Sequence, residues 1–421
     1  MVEQRGAGVG RGVLQPVLAG VVTAVVGFAS TFAVVLAGLR AVGADSRQAA
    51  SGLLAVCVAA GATAIVLGLR HRIPISIAWS TPGAALLAAT GAVDGGFAAA
   101  VGAFLVTGAL IVAAGLFPAL GRAIAAIPRP IAAAMLAGVL LDLCIAPVRA
   151  LVDVPLLAAP IVGVWLVLNR FARAWAVPAA LAAAVLVIAL DSPGALRGAA
   201  AAPEVVLTAP VFTWQALVSL AVPLFLVTMA SQNVPGMAVL QGYGYTPPLR
   251  GVLLGTGAAT AVAAPFGSHA VNLAAITAAL AAGPDAHPDP RRRWIASVTA
   301  GIGMITLGLG ASAATAFVLS SPPLLIEAVA GLALLGALGA AIASATAEAE
   351  GREAAVVTFV VTASGVALLG VGAAFWGLLA GGLMLLLRPR SGTTPPSPRT
   401  SADRPPTESD PTPAAPSAVP S

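Results

Sequence analysis

Ile73-Pro74-Ile75-Ser76-Ile77-Ala78-Trp79-Ser80-Thr81-Pro82-Gly83 is an extended, proline-interrupted stretch between long apolar runs, and Ala263-Ala264-Pro265-Phe266-Gly267-Ser268-His269 is its counterpart later in the chain. Each leads into an apolar run too short to span a bilayer, 81–92 in the first case and 269–282 in the second. Paired short segments broken by Gly and Pro at corresponding places point to the binding site of a membrane carrier. Their half-helix N-termini offer unpaired N–H groups and a positive dipole end to an anion. An ordinary proline kink explains one such break, but two at matching positions, with Ser, Thr, His and Asn close by, favour a site.

Working outward, the apolar runs lie at 17–39, 49–69, 81–92, 96–117, 130–146, 154–171 and 176–190. After a polar loop at 191–213 they resume at 214–241, 250–265, 269–282, 293–317, 322–345, 354–371 and 373–387. That is about 14 transmembrane segments in two sets of seven, and an odd number per set makes the halves antiparallel, an inverted repeat of 17–190 and 214–387. Weak self-similarity agrees: Ala29-Ser30, Leu39 and Gly43 recur as Ala230-Ser231, Leu240 and Gly244, although Ala, Leu and Gly are common enough here for chance to produce this.

Composition forces the same class. The 421 residues are 59% hydrophobic and 9% charged, with mean hydropathy +0.99, against about 25% charged in an average soluble domain. Backbone groups in hydrocarbon need internal partners, and long Ala/Leu/Val/Gly runs without period-2 alternation exclude a closed barrel. The expected fold is an all-α integral membrane protein. The first 16 residues hold Arg5 and Arg11 but no separate apolar core and cleavage site before Val17, so 1–16 is expected to be a retained N-terminal segment.

The chain carries 21 basic residues, all Arg, and a net charge of +5. Their distribution argues for membrane orientation, not nucleic acid. With a cytoplasmic N-terminus, the inside loops hold Arg70, Arg72, Arg122, Arg129, Arg170, Arg173, Arg250, Arg291 to Arg293, Arg352, Arg388 and Arg390. The outside loops hold only Arg40, Arg47, Arg149 and Arg197. Both termini are therefore expected to be cytoplasmic. The Pro/Ser/Thr-rich stretch 388–421 has no apolar period and is expected to be a disordered cytoplasmic tail, a docking role being the alternative. Cys57 and Cys144 fall inside apolar runs and are expected to be packing residues, not a disulfide or metal pair. No cofactor motif or metal-ligand spacing is present.

A third polar cluster, Thr228-Met229-Ala230-Ser231-Gln232-Asn233-Val234-Pro235-Gly236, lies within the eighth segment. Intramembrane amides are costly in lipid, so they either bond other helices or hold a solute, and the neighbouring Pro-Gly favours the solute. Asp142 and Glu327 sit toward segment ends, where a charge is usually solvated. His71 and His287 are expected to face solvent.

Ala78-Trp79-Ser80-Thr81-Pro82-Gly83-Ala84-Ala85-Leu86-Leu87, the stretch Pro223 to Gly236, Ala264-Pro265-Phe266-Gly267-Ser268-His269-Ala270-Val271-Asn272-Leu273 and Gly283-Pro284-Asp285-Ala286-His287-Pro288-Asp289-Pro290 resemble the benzoate membrane transport (BenE-type) family of benzoate:proton symporters. The resemblance runs from about residue 13 to 387. It implies a uracil-permease-like fold, with seven-plus-seven inverted repeats divided into a core and a gate domain and with segments 3 and 10 each a short strand plus half-helix. In nucleobase members of that fold, acidic residues on segments 8 and 10 bind substrate and couple protons. Ser231, Gln232, Asn233, His269 and Asn272 stand in the matching stretches here, which suits an anion that amides and hydroxyls can bond.

The implied function is import of benzoate or a similar aromatic carboxylate across an inner membrane, by proton symport and alternating access. The carboxylate is expected between the two half-helix N-termini, bonded by Ser80, Thr81, Ser268 and backbone N–H groups with Gln232 and Asn233 beside it, and the ring against Trp79 and Phe266. His269 carries the coupled proton, or else braces the break as a neutral side chain. Another organic anion and a passive channel or facilitator are the alternatives; a membrane-embedded enzyme has no supporting motif. Analogy with the superfamily extends to a homodimer, which no residue pattern in the chain establishes.

Overall fold

The computed structural model describes residues 3–117, 128–191, 204–274, 277–369 and 371–387. The expected tail at 388–421 and most of the loop at 191–213 lie outside them. The first seven-segment set comprises α1 (Glu3–Ala41), α2 (Ser46–His71), β1 (Ile77–Trp79) with α3 (Thr81–Thr90), α4 (Gly96–Leu116), α5 (Arg129–Asp153), α6 (Pro155–Phe171) and α7 (Ala176–Asp191). The second comprises α8 (Trp214–Gly242), α9 (Leu249–Ala263), β2 (Val271–Leu273) with α10 (Ala278–Ala282), α11 (Trp294–Gly308) with α12 (Ala311–Ser320), α13 (Pro323–Thr346), α14 (Arg352–Ala363) and α15 (Ala373–Leu387).

Among the described residues, eight helices are long and apolar enough to cross a bilayer, and α11 with α12, bent by 58° at their break, makes a ninth. The shorter segments are the two half-helices with α6, α14 and α15. Helix α1 begins well before the apolar run at Val17, carrying Pro16 inside it.

Helix α2 starts with a capping box in which Asp45 accepts from the Gln48 N–H at 2.8 Å and Gln48 accepts from the Asp45 N–H at 3.0 Å. Two orphan donors of the first turn are thereby satisfied. Helix α8 contains two π turns, Leu217–Ala221 and Met229–Asn233. Each lies just ahead of a proline, Pro223 or Pro235, whose missing N–H interrupts the i→i−4 ladder and lets the turn widen.

The helices sort into two bundles. Helices α1 to α4 and α8 to α12 pack together, while α5 packs on α13 and α14, and α6 on α7. The pairings recur across the repeat: α4 on α9 matches α2 on α11. Both contacts are made through glycine. A Cβ on Gly301 would stand 2.7 Å from the Gly61 carbonyl oxygen, and one on Gly257 would stand 2.7 Å from the Val112 nitrogen. Without a hydrophobic force between helices in lipid, such close backbone approach supplies the packing attraction. The bundles meet where α1 touches α13 and α7, α3 touches α5, and the second π turn of α8 touches α5.

The described part of the central loop, 204–213, is an extended strap across the core bundle. It is fixed by Val206 N–H to Ser51 Oγ at 3.0 Å, Thr208 N–H to the Pro265 carbonyl at 2.8 Å and Val211 N–H to the Ala98 carbonyl at 2.9 Å.

Candidate functional site

Inside the core bundle β1 and β2 form a two-stranded antiparallel ribbon with Ile77 opposite Leu273, Ala78 opposite Asn272 and Trp79 opposite Val271. It is extended by Ser80 N–H to the Ala270 carbonyl at 3.0 Å and Ala274 N–H to the Ser76 carbonyl at 2.9 Å. A two-stranded ribbon buried in a membrane protein leaves outward-facing backbone donors that need side-chain partners. On β2 these are met from two other segments: Val271 N–H donates to Thr260 Oγ1 at 2.9 Å, and Leu273 N–H donates to Asn233 Oδ1 at 3.0 Å.

Ser80 ends the ribbon and caps α3. Its Oγ accepts from the Gly83 N–H at 3.1 Å and from Thr228 Oγ1 at 3.0 Å, and its carbonyl accepts from the Ala84 N–H at 2.8 Å. Pro82 has no N–H, so the first turn keeps a single uncommitted backbone donor, that of Thr81, whose side chain is half-buried beside a fully buried Ser80. The Ser80 carbonyl also accepts from His269 Nε2 at 3.1 Å. The bond places the imidazole proton on Nε2 and leaves the Nδ1 lone pair, fully buried, without a partner among the described residues. The Phe104 ring stands edge-on to the imidazole at 6.5 Å.

Asn272 lies in β2 with its amide oxygen directed to the Ser80 N–H at 3.2 Å. Asn233 Nδ2 is directed at Met229 Sδ at 3.2 Å, a weak acceptor. Ser231 is half-buried and donates to the Val227 carbonyl at 2.6 Å, and Gln232 is buried in the same π turn. The ribbon thus gathers Trp79, Ser80, Thr81, Asn233, His269 and Asn272.

One expected residue takes another place. The second helical turn was expected to start next to Ser268, but Ser268, His269 and Ala270 lead into β2 and the helix begins at Ala278. The reason is that the proline-glycine break forms the 3-10 turn Ala264–Phe266, closed by Gly267 at φ 93°, which turns the chain into the strand and not into the helix. Ser268 Oγ is buried with no partner among the described residues. Phe266 belongs to that turn, where its carbonyl accepts from Ser51 Oγ at 2.9 Å. Trp79 has Phe28 of α1 edge-on at 5.7 Å, itself stacked on Phe32 at 5.4 Å, and the Trp79 indole N–H donates to Thr31 Oγ1 at 2.9 Å.

Thr31, Thr228 and Thr260 are therefore parts of the assembly that the sequence reading did not single out. Thr228 opened the quoted cluster on α8, whereas a lone Thr in an apolar run carries no signal of its own. His287, expected to face solvent, is buried, because Arg293 Nε donates to its carbonyl at 2.6 Å and draws the loop inward. Asp142 pairs with Arg149 at 2.9 Å in the other bundle.

The arrangement has known relatives. The transmembrane domain of the cyanobacterial bicarbonate transporter BicA shares this fold with a TM-score of 0.55 at 16% identity, covering 88% of this chain and 98% of that one. The benzoate membrane transport protein of Acinetobacter baylyi is 30% identical over 90% of this chain and 96% of its own length. The inner membrane protein YdcO of Escherichia coli is 39% identical over 87% of this chain and 94% of its own. These likenesses carry the uracil-permease-like fold and a transport protein, not an enzyme. The family model described as benzoate membrane transport protein matches residues 13–387, and the chain belongs to that family.

Proposed function

We propose that this membrane transporter imports benzoate or a similar aromatic carboxylate by proton symport and alternating access. The observation that carries the reading is the His269 imidazole, bonded to the carbonyl that closes the α3 cap. Among the described residues, the other buried side chains of the core bundle with a titratable proton are the Cys57 thiol and, in the loop between α10 and α11, His287 and Arg293. A carrier that couples to protons needs a side chain that can take one up and release it, and the His269 Nδ1 lone pair offers such a place.

The substrate carboxylate is assigned to the Thr81 N–H and hydroxyl at the α3 N-terminus, with Asn233 Nδ2, Gln232 and Ser231 on the facing π turn. This keeps the anion at a positive dipole end and away from any carboxylate. Ser268 and Asn272 support the ribbon from the other strand, and Trp79 supplies an aromatic face. Helix α10 has five residues, so the second dipole contributes less than the first. The bundle of α1 to α4 and α8 to α12 is the moving core, and α5 to α7 with α13 to α15 the gate. The repeats 17–190 and 214–387 and the inner-membrane orientation with both termini cytoplasmic follow from the segment order and the Arg asymmetry. A homodimer belongs to the same reading and is checked by the mass of the detergent-solubilised protein.

Reconstituted vesicles test the proposal. Labelled benzoate is expected to accumulate against its gradient when the interior is alkaline and to leak out on addition of an uncoupler. His269→Gln is expected to abolish accumulation while keeping exchange of internal for external benzoate. If His269→Gln still accumulates substrate, the proton travels elsewhere. Equilibration alone in the unmodified protein would favour a facilitator.

A further inference from the structure

We propose that the arginine-rich end of the core bundle binds the phosphodiester headgroups of anionic phospholipids in the adjoining leaflet. Helix α2 ends in Leu69-Arg70-His71 with Arg72 as its C-cap, α9 begins Leu249-Arg250-Gly251, and α11 begins at Trp294 directly after Arg291-Arg292-Arg293. Packing brings the three together. A Cβ on Gly251 would lie 3.9 Å from His71 Nε2, one on Gly68 would lie 2.8 Å from Val298 of α11, and the Arg72 guanidinium stands 5.4 Å over the Trp294 ring.

Arg70, Arg72, Arg250, Arg291 and Arg292 are exposed at this end, and among the described residues the loop that precedes α11 adds the acidic Asp285 and Asp289. Among the described residues the single ion pair here is Arg292 with Asp289, at 4.0 Å. Arg70, Arg72, Arg250 and Arg291 form none. At the same end of the other bundle four arginines, Arg129, Arg170, Arg173 and Arg352, stand against three glutamates, Glu348, Glu350 and Glu353. The excess of arginine over carboxylate is therefore larger at the core bundle.

The choice of a lipid over a soluble anion rests on the neighbours. Leu69 and Leu249, each directly before an arginine of the cluster, are exposed by 53% and 49%. A phosphodiester with acyl chains satisfies both faces at once: the guanidinium forks take the phosphate and the leucines take the chain.

Native mass spectrometry of the purified protein, titrated with phosphatidylglycerol, phosphatidylcholine or inorganic phosphate, tests this without any measurement of transport, so its outcome is independent of the substrate reading. Phosphatidylglycerol is expected to stay bound in preference to phosphatidylcholine and to be displaced by high salt, with millimolar phosphate failing to compete. Arg70→Gln/Arg72→Gln/Arg250→Gln is expected to weaken phosphatidylglycerol by roughly five-fold for each arginine removed, whereas Arg170→Gln/Arg173→Gln in the other bundle leaves it unchanged. Equal retention of the two lipids, undiminished binding by the triple variant, or full competition by phosphate would each overturn the proposal. If the triple variant fails to fold, Arg250→Gln alone and the salt titration of the unmodified protein decide between the same outcomes.

Discussion

The two interrupted segments occupy matching places in the repeat, yet they are built and held differently. Both segments have a proline ahead of the strand, Pro74 and Pro265, but segment 3 has a second one at its strand-to-helix junction, as Ser80-Thr81-Pro82-Gly83, and the helix that follows has ten residues and a serine cap. In segment 10 the strand is held on its far edge by Thr260 and Asn233, and the helix has five residues with no side-chain cap. Segment 3 is stabilised from within by its cap, segment 10 from outside by other segments. The half-helix that keeps a full first turn is the one equipped to hold an anion.

The largest test of that contrast is Arg293. The guanidinium is buried and donates to the carbonyls of Ala282 at 2.8 Å, His287 at 2.6 Å and Pro288 at 3.3 Å, so it closes the C-terminus of α10 and folds the loop behind it. Arg293→Met removes three charge-assisted bonds and strands buried carbonyls, which should cost about 3 kcal/mol. The corresponding end of α3 closes on Gly91, at φ 71° and ψ −159°, a conformation essentially reserved for glycine but with open space around its Cβ, so Gly91→Ala should cost about 2 kcal/mol, less than Arg293→Met. Thermal midpoints in one detergent measure both. A smaller loss for Arg293→Met than for Gly91→Ala would mean that segment 10 does not depend on its loop.

The strand edge comes next. Asn233→Leu leaves the Leu273 N–H buried without its acceptor and is expected to destabilise by about 2 kcal/mol, with Thr260→Val close behind for the Val271 N–H. The two donors lie on one strand, so the double variant should lose less than the sum of the single losses once the edge has opened. Strict additivity in a double-mutant cycle would show that each side chain acts on its own and that β2 is not held as a unit.

How much of this was visible in the residues follows from the same contrast. Pro and Gly are local signals, and both breaks and the segment order around them could be placed from the sequence. The junction of segment 3 was legible because Ser80 and Pro82 are themselves helix-start residues. Segment 10 misled because Ser268 and His269 follow a Pro-Gly break just as Ser80 and Thr81 flank one, while Ala270-Val271-Asn272-Leu273 resembles any apolar run; only pairing with β1 makes it a strand. The aromatic neighbour and the hydrogen-bond partner of Trp79 both come from α1, Thr31 lying 48 positions away, and no local pattern reports a tertiary contact. Arg293 looked like the third of three loop arginines, and its burial is set by carbonyls that exist only once the loop has folded.

The finest test concerns the caps. Ser80→Ala removes the acceptor for the Gly83 N–H and the partner of the Thr228 hydroxyl, and a lost N-cap typically costs about 1 kcal/mol. Thr277, at the N-cap position of α10, lies in the helical region and makes no side-chain cap bond, so Thr277→Ala should change stability by less than about 0.5 kcal/mol. Ser80→Gly supplies the discriminating arm. A glycine at the cap is tolerated within a few tenths of a kcal/mol in exposed helices because water replaces the lost acceptor. At a fully buried Ser80 water has less access, so Ser80→Gly should fall with Ser80→Ala and not with Thr277→Ala. If it falls with Thr277→Ala, the first turn of α3 is hydrated, and the single open donor at Thr81 would no longer distinguish the two half-helices.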